Sequence, residues 1–411
     1  MEIFYRDAGL KLEKSWDHLI TDLNQAKTYN PYCLSEDFYV VFKHLILSLC
    51  LGEEIILLDA DFSDDEIKKL ITFSDFEKFT KAIPKEKHLQ ISSKHDLLDC
   101  IHANATEWKI CLFTSGTTGL PKKVSHTLAT MARFVKTTTS DNVWGFAYPP
   151  THMAGLQVFF QALLNGNPVI RLFGLSKAEI LNEIQNYGIT HISATPTFYR
   201  LLLPLEGSYP SVKRITSGGE KFDTATINKL SLAFPTAKIT NVYASTEAGS
   251  LLAAEGDEFT IKPEMQPWIQ IRDLEIYIHQ SLMGDSEMSK QEWYASGDLV
   301  EILHTNPIRF RFLSRKNEMI NVGGYKVNPL DVEEVIRSLP GIMDARVFAK
   351  PNAVLGNILC CEVVKNQAEI DEAGIRKILQ GQLQEFKIPR MIIFVENFAY
   401  TRSGKMRRTT E

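Results

Sequence analysis

Apolar residues recur at helical spacing from Phe38 to Leu51, and Gly52 is placed to end the helix they predict. Glu54-Ile55-Ile56-Leu57-Leu58-Asp59 follows as a short buried strand. Asp64-Asp65-Glu66 then opens another helix, with acids at the positive end of its dipole. This helix–strand–helix alternation predicts α/β layering. Trp108 to Phe113, His191 to Ala194, Val212 to Thr216 and Ala237 to Tyr243 read as further strands. The first runs into a Ser/Thr/Gly stretch and the last into a polar turn. From Ile269 the pattern changes, and Glu275 to Ile278 and Arg309 to Phe312 read as antiparallel, half-exposed strands. After Arg315 a charged, Gly-containing passage leads to Pro329-Leu330-Asp331-Val332-Glu333, with Pro and acids in the first turn of an amphipathic helix. Strands over 345–349 and 359–364, a helix from about Asp371 to Phe386 and a strand over 392–395 complete the chain. The expected fold is therefore a large N-terminal α/β domain over 1–316 with a small C-terminal α+β lid domain over 317–411. The boundary rests on the change of pattern, since no low-complexity linker or internal repeat marks it.

The length of 411 residues agrees with two or three domains. With 44% hydrophobic and 23% charged residues, the composition excludes a disordered chain, a coiled coil and a collagen-like repeat. A net charge of −5 leaves no nucleic-acid footprint, although a local phosphate site needs only a few well-placed donors. The apolar stretch from Phe38 to Leu51 is broken by Lys43 and His44 and is too short to span a bilayer. Met1 to Trp16 carries charges throughout and reads as no signal peptide. The six cysteines form neither a C-x-x-C pair nor a zinc pattern, so reduced, mostly buried thiols in a cytoplasmic protein are expected.

Chemistry first becomes visible in Thr114-Ser115-Gly116-Thr117-Thr118-Gly119-Leu120-Pro121-Lys122-Lys123, which follows a predicted strand. Glycines let backbone N–H groups turn toward an anion, hydroxyls add donors and a lysine adds charge. A Walker A loop requires Gly directly before its Lys and Ser or Thr after it. Pro121 and Lys123 occupy those places, which disfavours a P-loop NTPase.

This stretch resembles the phosphate-loop signature of the adenylate-forming superfamily of acyl- and aryl-CoA ligases, peptide-synthetase adenylation domains and luciferases. Four more segments resemble that family's motifs in order. They are Asn241-Val242-Tyr243-Ala244-Ser245-Thr246-Glu247, Tyr294-Ala295-Ser296-Gly297-Asp298, Arg315 through Pro329, and Thr401-Arg402-Ser403-Gly404-Lys405. The resemblance runs from about residue 40 to the end, and the shortened build resembles small aryl-CoA and o-succinylbenzoate-CoA ligases more than long-chain fatty acyl ligases.

The resemblance implies specific roles. The loop residues Thr114 to Gly119 and Lys122 would hold phosphate. Ser217-Gly218-Gly219-Glu220 resembles the adenine-side turn, where glycines allow close backbone approach. Asn241 and Tyr243 would meet the adenine, with Ala244 and Ser245 lining the same site. Thr246 would bind the α-phosphate and Glu247 would hold Mg2+ through oxygen. Asp298 would accept both ribose hydroxyls, Arg315 would join the nucleotide site, Asn317 would be the hinge, and Gly323-Gly324-Tyr325 would face a pantetheine arm. Lys405 would span the acyl carboxylate and the α-phosphate. His152 resembles the gate of the acyl pocket, whereas His126 reads as structural. ATP, Mg2+ and CoA are thus implied, with a carboxylic acid as the small-molecule substrate. A carrier-protein phosphopantetheine is the alternative acceptor, and a catalytically silent nucleotide- or partner-binding relative is the rival. Lys405 and Glu247 are both present, which ranks the rival lower.

The chain also departs from the family pattern. Lys123 and Ala244 stand where Gly is usual, and Asn317 where Asp or Lys is commoner. Few residues precede the phosphate loop, so a trimmed N-terminal subdomain is expected. No acid lies between Pro150 and Gln161, which argues against an amino-acid substrate. Met153, Leu156, Val158, Phe159 and Phe160 point to an apolar or aromatic acid.

Overall fold

The computed structural model of the chain describes residues 2–71, 83–84, 88–114, 122–138, 141–322, 325–352, 356–365 and 370–398. Ser115 to Gly119, Gly323, Gly324 and Lys405 lie outside the described residues, as does the side chain of Thr114.

Buried, short and β-rich segments alternate with helices through the first 250 residues, and they assemble as an α/β sheet. In edge-to-edge order the eight strands are Gly249–Ala254, Lys238–Ser245, Arg214–Gly218, His191–Ala194, Trp144–Phe146, Val169–Arg171, Ile3–Asp7 and Leu12–Ser15. The strands from Lys238–Ser245 through Ile3–Asp7 run parallel, and the two edge strands run antiparallel to their neighbours. His191–Ala194 is buried along its whole length, as expected of a parallel strand covered on both faces.

The helix Phe38–Leu51 is built as its sequence predicts. Asp37 caps its start by accepting from the N–H groups of Tyr39 and Val40, and Gly52 ends it in the left-handed region at φ +74°. Its Phe42 stacks on Phe159 at 4.1 Å. Phe159, Phe160, Leu156 and Met153 all sit in this core cluster. These side chains therefore report core packing.

A second sheet orders Tyr32–Leu34, Ile55–Leu58, Lys109–Thr114 and Lys122–Thr127. The last two strands are an antiparallel pair with Thr114 opposite Lys122. A five-stranded antiparallel sheet orders Glu258–Ile261, Ile308–Arg315, Trp293–Thr305, Glu275–His279 and Ile269–Arg272. The two strands predicted here do share a sheet, with the long strand Trp293–Thr305 between them.

The C-terminal part has its own core. A hairpin of Ile320–Val322 and Tyr325–Val327 precedes the helix Pro329–Arg337. Three strands, Ile342–Asn352, Gly356–Lys365 and Met391–Phe394, then carry the helix Glu372–Gln382. Val332, Ile336, Val347, Val363, Ile375 and Leu379 close one cluster between helices and sheet. Ion pairs join this small domain to the large one, Arg200 to Asp344 at 3.0 Å and Lys221 to Glu334 at 2.6 Å.

The strands Ile3–Asp7 and Leu12–Ser15 were not expected from the charged N-terminal sequence. Asp7 is fully buried because Arg171 reaches it at 2.7 Å, so its charge does not mark a solvent-exposed segment. No disulfide joins any of the six cysteines, five of which are buried. Among the described residues, no helix is long and apolar enough to cross a membrane.

Candidate active site

The parallel strands Arg214–Gly218 and Lys238–Ser245 end at the same edge of the sheet, the edge where open α/β sheets bind ligands. Gly218 closes the first strand. A Cβ there would stand 2.8 Å from the Val242 carbonyl oxygen, and Gly219 follows at φ +84°, so both positions need glycine. Ser217 Oγ is buried beside them with no hydrogen-bond partner among the described residues. Glu220 uses one carboxylate oxygen on the neighbouring helix Pro196–Leu202, accepting from Thr197 Oγ1 at 2.7 Å and from Arg200 at 3.3 Å.

Asn241 is buried on Lys238–Ser245. Ala244 continues the strand next to a bulge and is not among the residues with positive φ, which is why Ala is tolerated where Gly is usual. Tyr243 donates its hydroxyl to Asp298 Oδ2 at 2.7 Å, and Arg315 donates from Nε to Asp298 Oδ1 at 2.8 Å. Three residues from three separate strands thus meet at one carboxylate. Burial, reinforced by the Asp298 charge, lifts the Tyr243 phenol well above its ordinary range and keeps it a donor. Its ring lies against Phe312 at 4.6 Å.

Past Ser245 the chain turns through Thr246 and Glu247. Among the described residues the Glu247 carboxylate has no hydrogen-bond or ion-pair partner. Burial raises the Tyr294 phenol above its ordinary range, and the Glu247 charge raises it further. One free carboxylate suits Mg2+, which takes one or two protein oxygens and fills its remaining positions with phosphate and water. No cluster of three metal-binding side chains occurs among the described residues.

His126 is 2% exposed, and its Nε2 lies 2.9 Å from the Thr246 carbonyl oxygen. Burial pushes the imidazole down to about 4, against the pull of that carbonyl. His152 is the N-cap residue of the helix Met153–Leu163 and makes no side-chain cap bond. Its Nε2 faces Asp59 Oδ2 at 3.5 Å, and Thr151 donates its hydroxyl to the other oxygen of Asp59. An acid therefore does stand beside this segment, although none occurs between residues 150 and 161. It comes from the end of the strand Ile55–Leu58, a pairing that no linear spacing displays.

The remaining candidates are more open. Asn317 is exposed in a turn whose neighbour Lys316 donates its N–H to Gly297 O at 2.8 Å and its Nζ to Glu275 at 3.1 Å. Tyr325 is 59% exposed and stacks on Phe386 at 4.4 Å. Lys122 is exposed at the start of its strand. Arg200 was not singled out from the sequence. It is buried between Glu220, Asp223 and Asp344, and it links the Gly218-Gly219-Glu220 turn to the small domain. Only its place on a short apolar helix hinted that its charge had to be paired.

The parallel sheet with its polar turns gathered at one edge, ion-paired to a small α+β domain, is the architecture of an adenylate-forming enzyme, and the family match assigns it to that class. The chain belongs to the AMP-binding enzyme family. Residues 39–280 match that family and residues 331–405 match the AMP-binding enzyme C-terminal domain. A Staphylococcus haemolyticus protein named as a long chain fatty acid-CoA ligase, VraA, is 28% identical over 386 residues, 86% of this chain and 80% of the relative. A 2-succinylbenzoate–CoA ligase of Listeria innocua is 25% identical over 377 residues, 84% of this chain and 78% of the relative. Among solved structures, ATP-bound MatB from Rhodopseudomonas palustris superposes with a TM-score of 0.72 at 18% identity, over 98% of this chain and 94% of that one. The o-succinylbenzoate CoA synthetase MenE of Bacillus subtilis, in complex with its acyl-adenylate intermediate, superposes with a TM-score of 0.69 at 18% identity, over 99% and 94%. At these identities the structural likenesses establish the fold.

Proposed function

We propose that the chain is an acid-thiol ligase that activates a carboxylic acid with ATP and transfers the acyl group to CoA. The observation that carries this reading is the convergence of Tyr243 and Arg315 on the two oxygens of Asp298. It presents an ionised carboxylate, fixed in direction, to a ribose diol. In the first step a carboxylate oxygen attacks the α-phosphorus, the bond to the β-phosphate bridge breaks, and pyrophosphate leaves. The nucleophile is already ionised, so no base is required, and the protein's work is alignment and charge neutralisation. Thr246 is assigned to the α-phosphate and Lys405 to the charge that builds between acid and phosphate. Glu247 would hold Mg2+, which supplies further neutralisation of the phosphates. In the second step a thiol sulfur attacks the acyl carbon, the bond to AMP breaks, and the thiol proton passes to water. Asn317 is assigned as the hinge for the lid motion between the steps, and Tyr325 to the pantetheine path.

The names of the relatives set the first acids to try, 2-succinylbenzoate and long-chain fatty acids. Pyrophosphate release should be measured with ATP over aryl and alkyl acids, with and without CoA. Acid-dependent release, with acyl-CoA and AMP appearing only when CoA is added, is the expected result. ATP binding without cleavage by any acid would return the chain to a silent relative, and release without transfer to CoA would favour a carrier-protein acceptor.

A further inference from the structure

Three consecutive carbonyls in the turn after Lys238–Ser245 are each taken by a donor from elsewhere in the fold. His126 Nε2 stands 2.9 Å from Thr246 O, the Gly284 N–H donates to Glu247 O at 2.6 Å, and Arg133 Nη1 lies 3.5 Å from Ala248 O. A carbonyl oxygen only accepts, so Nε2 carries the ring proton. The donors are also tied to one another. Ser125, the residue before His126, exchanges both backbone hydrogen bonds with Asp285, the residue after Gly284, at 2.9 and 2.8 Å. A Cβ on Gly284 would stand 2.4 Å from His126 Cε1, so glycine is what lets that backbone lie against the imidazole.

His126 lies on Lys122–Thr127, the strand that follows the proposed phosphate loop in sequence. Its ring is the one side chain bridging that strand to the turn that carries Thr246 and Glu247 among the contacts above, and its burial keeps water from substituting for it. We propose that His126 is a positioning residue for adenylate formation, whose Nε2–H fixes the Thr246–Glu247 backbone relative to the strand leaving the phosphate loop. The inference rests on the roles given above to Thr246 and Glu247. Groups that orient a metal-side ligand typically change activity by about 10- to 100-fold when removed.

The test compares His126→Gln, whose amide nitrogen can reproduce the Nε2–H, with His126→Leu, which is of similar size but cannot donate. Glu247→Gln serves as the reference for the underlying reading. Each is assayed for pyrophosphate release at several Mg2+ concentrations and, separately, for thioester formation from a supplied acyl-adenylate. His126→Leu should lose about 10- to 100-fold in adenylate formation and need more Mg2+, with thioester formation within about twofold of the parent protein. His126→Gln should recover most of the lost rate. If the Leu and Gln variants behave alike, whether both active or both inactive, the hydrogen bond does not position the turn and the proposal falls. If Glu247→Gln keeps full adenylation at limiting Mg2+, the assignment of Glu247 fails instead, whatever His126 does.

Discussion

The turn at residues 246–248 and the interface between the two domains are held in opposite ways. Backbone carbonyls hold the turn, facing in order a buried imidazole, a backbone N–H and the Arg133 guanidinium, all from the large domain. Charges bind the interface. Arg200 contacts Asp344 at 3.0 Å, Arg337 contacts the same carboxylate at 2.7 Å, and Lys221 contacts Glu334 at 2.6 Å. A buried carbonyl that loses its donor costs about 1–3 kcal/mol and has no second partner to turn to, which suits a part that must stay fixed. A buried ion pair is costly to break unless each partner keeps another charge, and the Arg200–Asp344 pair meets that condition. Arg200 also contacts Glu220 and Asp223, and Asp344 also contacts Arg337, so neither would be left unpaired if the two parted. On the lid motion proposed above, one active site would combine a locked half with a releasable half, and the chemistry of the contacts would tell them apart.

The sharpest way to test this contrast is Lys405→Ala, which removes a residue assigned to the moving half. Adenylate formation should fall by about 100- to 1000-fold, the usual cost of a lost transition-state contact. Thioester formation from a supplied acyl-adenylate should stay close to normal. Equal loss in both half-reactions would show that Lys405 is not tied to one lid position. Asn317→Pro should act in the reverse sense, because proline fixes φ and hinders rotation at the hinge. Adenylate should form almost normally and most thioester formation should disappear; a normal thioester yield would move the hinge elsewhere.

A smaller effect is expected from Asp344→Asn, which keeps a hydrogen-bonding shape and removes the charge between Arg200 and Arg337. It should lower stability by about 2 kcal/mol in a denaturant titration. It should also shift the ratio of the two half-reaction rates by more than it shifts the KM for ATP. An unchanged ratio would make the interface a passive contact.

Acid probes the contrast without any substitution. His126 and His191 are both buried, and burial pushes each imidazole down to about 4. Between that value and the ordinary 6.5 the unfolded chain binds protons that the folded protein does not, so stability is full above this window and falls as pH drops through it. The loss should be roughly 2 kcal/mol for each ring at pH 5. Burial opposes the ionised form of Asp344, yet Arg200 and Arg337 outweigh it and hold its carboxyl below the ordinary 3.8. Its contribution is present above that value and is lost only at lower pH. The locked half should therefore weaken in acid before the interface does. Denaturant midpoints at pH 7 and pH 5, with and without His126→Gln, measure the difference, and identical midpoints for the parent protein would contradict it.

Much of the architecture was legible because its signals are local. The helix Phe38–Leu51 announces itself through a central apolar run and Gly52, and the helix Pro329–Arg337 through Pro329 and Asp331. Strands such as His191–Ala194 stand out as short buried runs. The strands Trp144–Phe146 and Val169–Arg171 are three residues long and leave no period to detect. The N-terminal hairpin was hidden by Asp7, whose partner Arg171 lies 164 residues away. In the site, the motif carrying Tyr243 and the one carrying Asp298 were each visible, but the bond between them was not. The pairing of Asp59 with His152 joins two different sheets' surroundings, and the clamp on Thr246 uses backbone oxygens, which no residue type encodes. His126 was read as structural, and its contact with the Thr246 carbonyl is what gives that structural role a consequence.

The carboxylate of Asp298 has about four lone-pair directions, and Tyr243 and Arg315 occupy one on each oxygen. Among the described residues half of its accepting capacity is not taken, and its orientation is settled before any ligand arrives. A diol that docks there would find an acceptor whose rotational freedom was surrendered during folding, so that loss would not be charged again to binding. Affinity for the ribose would then depend less on the number of hydrogen bonds formed than on disorder that no longer has to be removed.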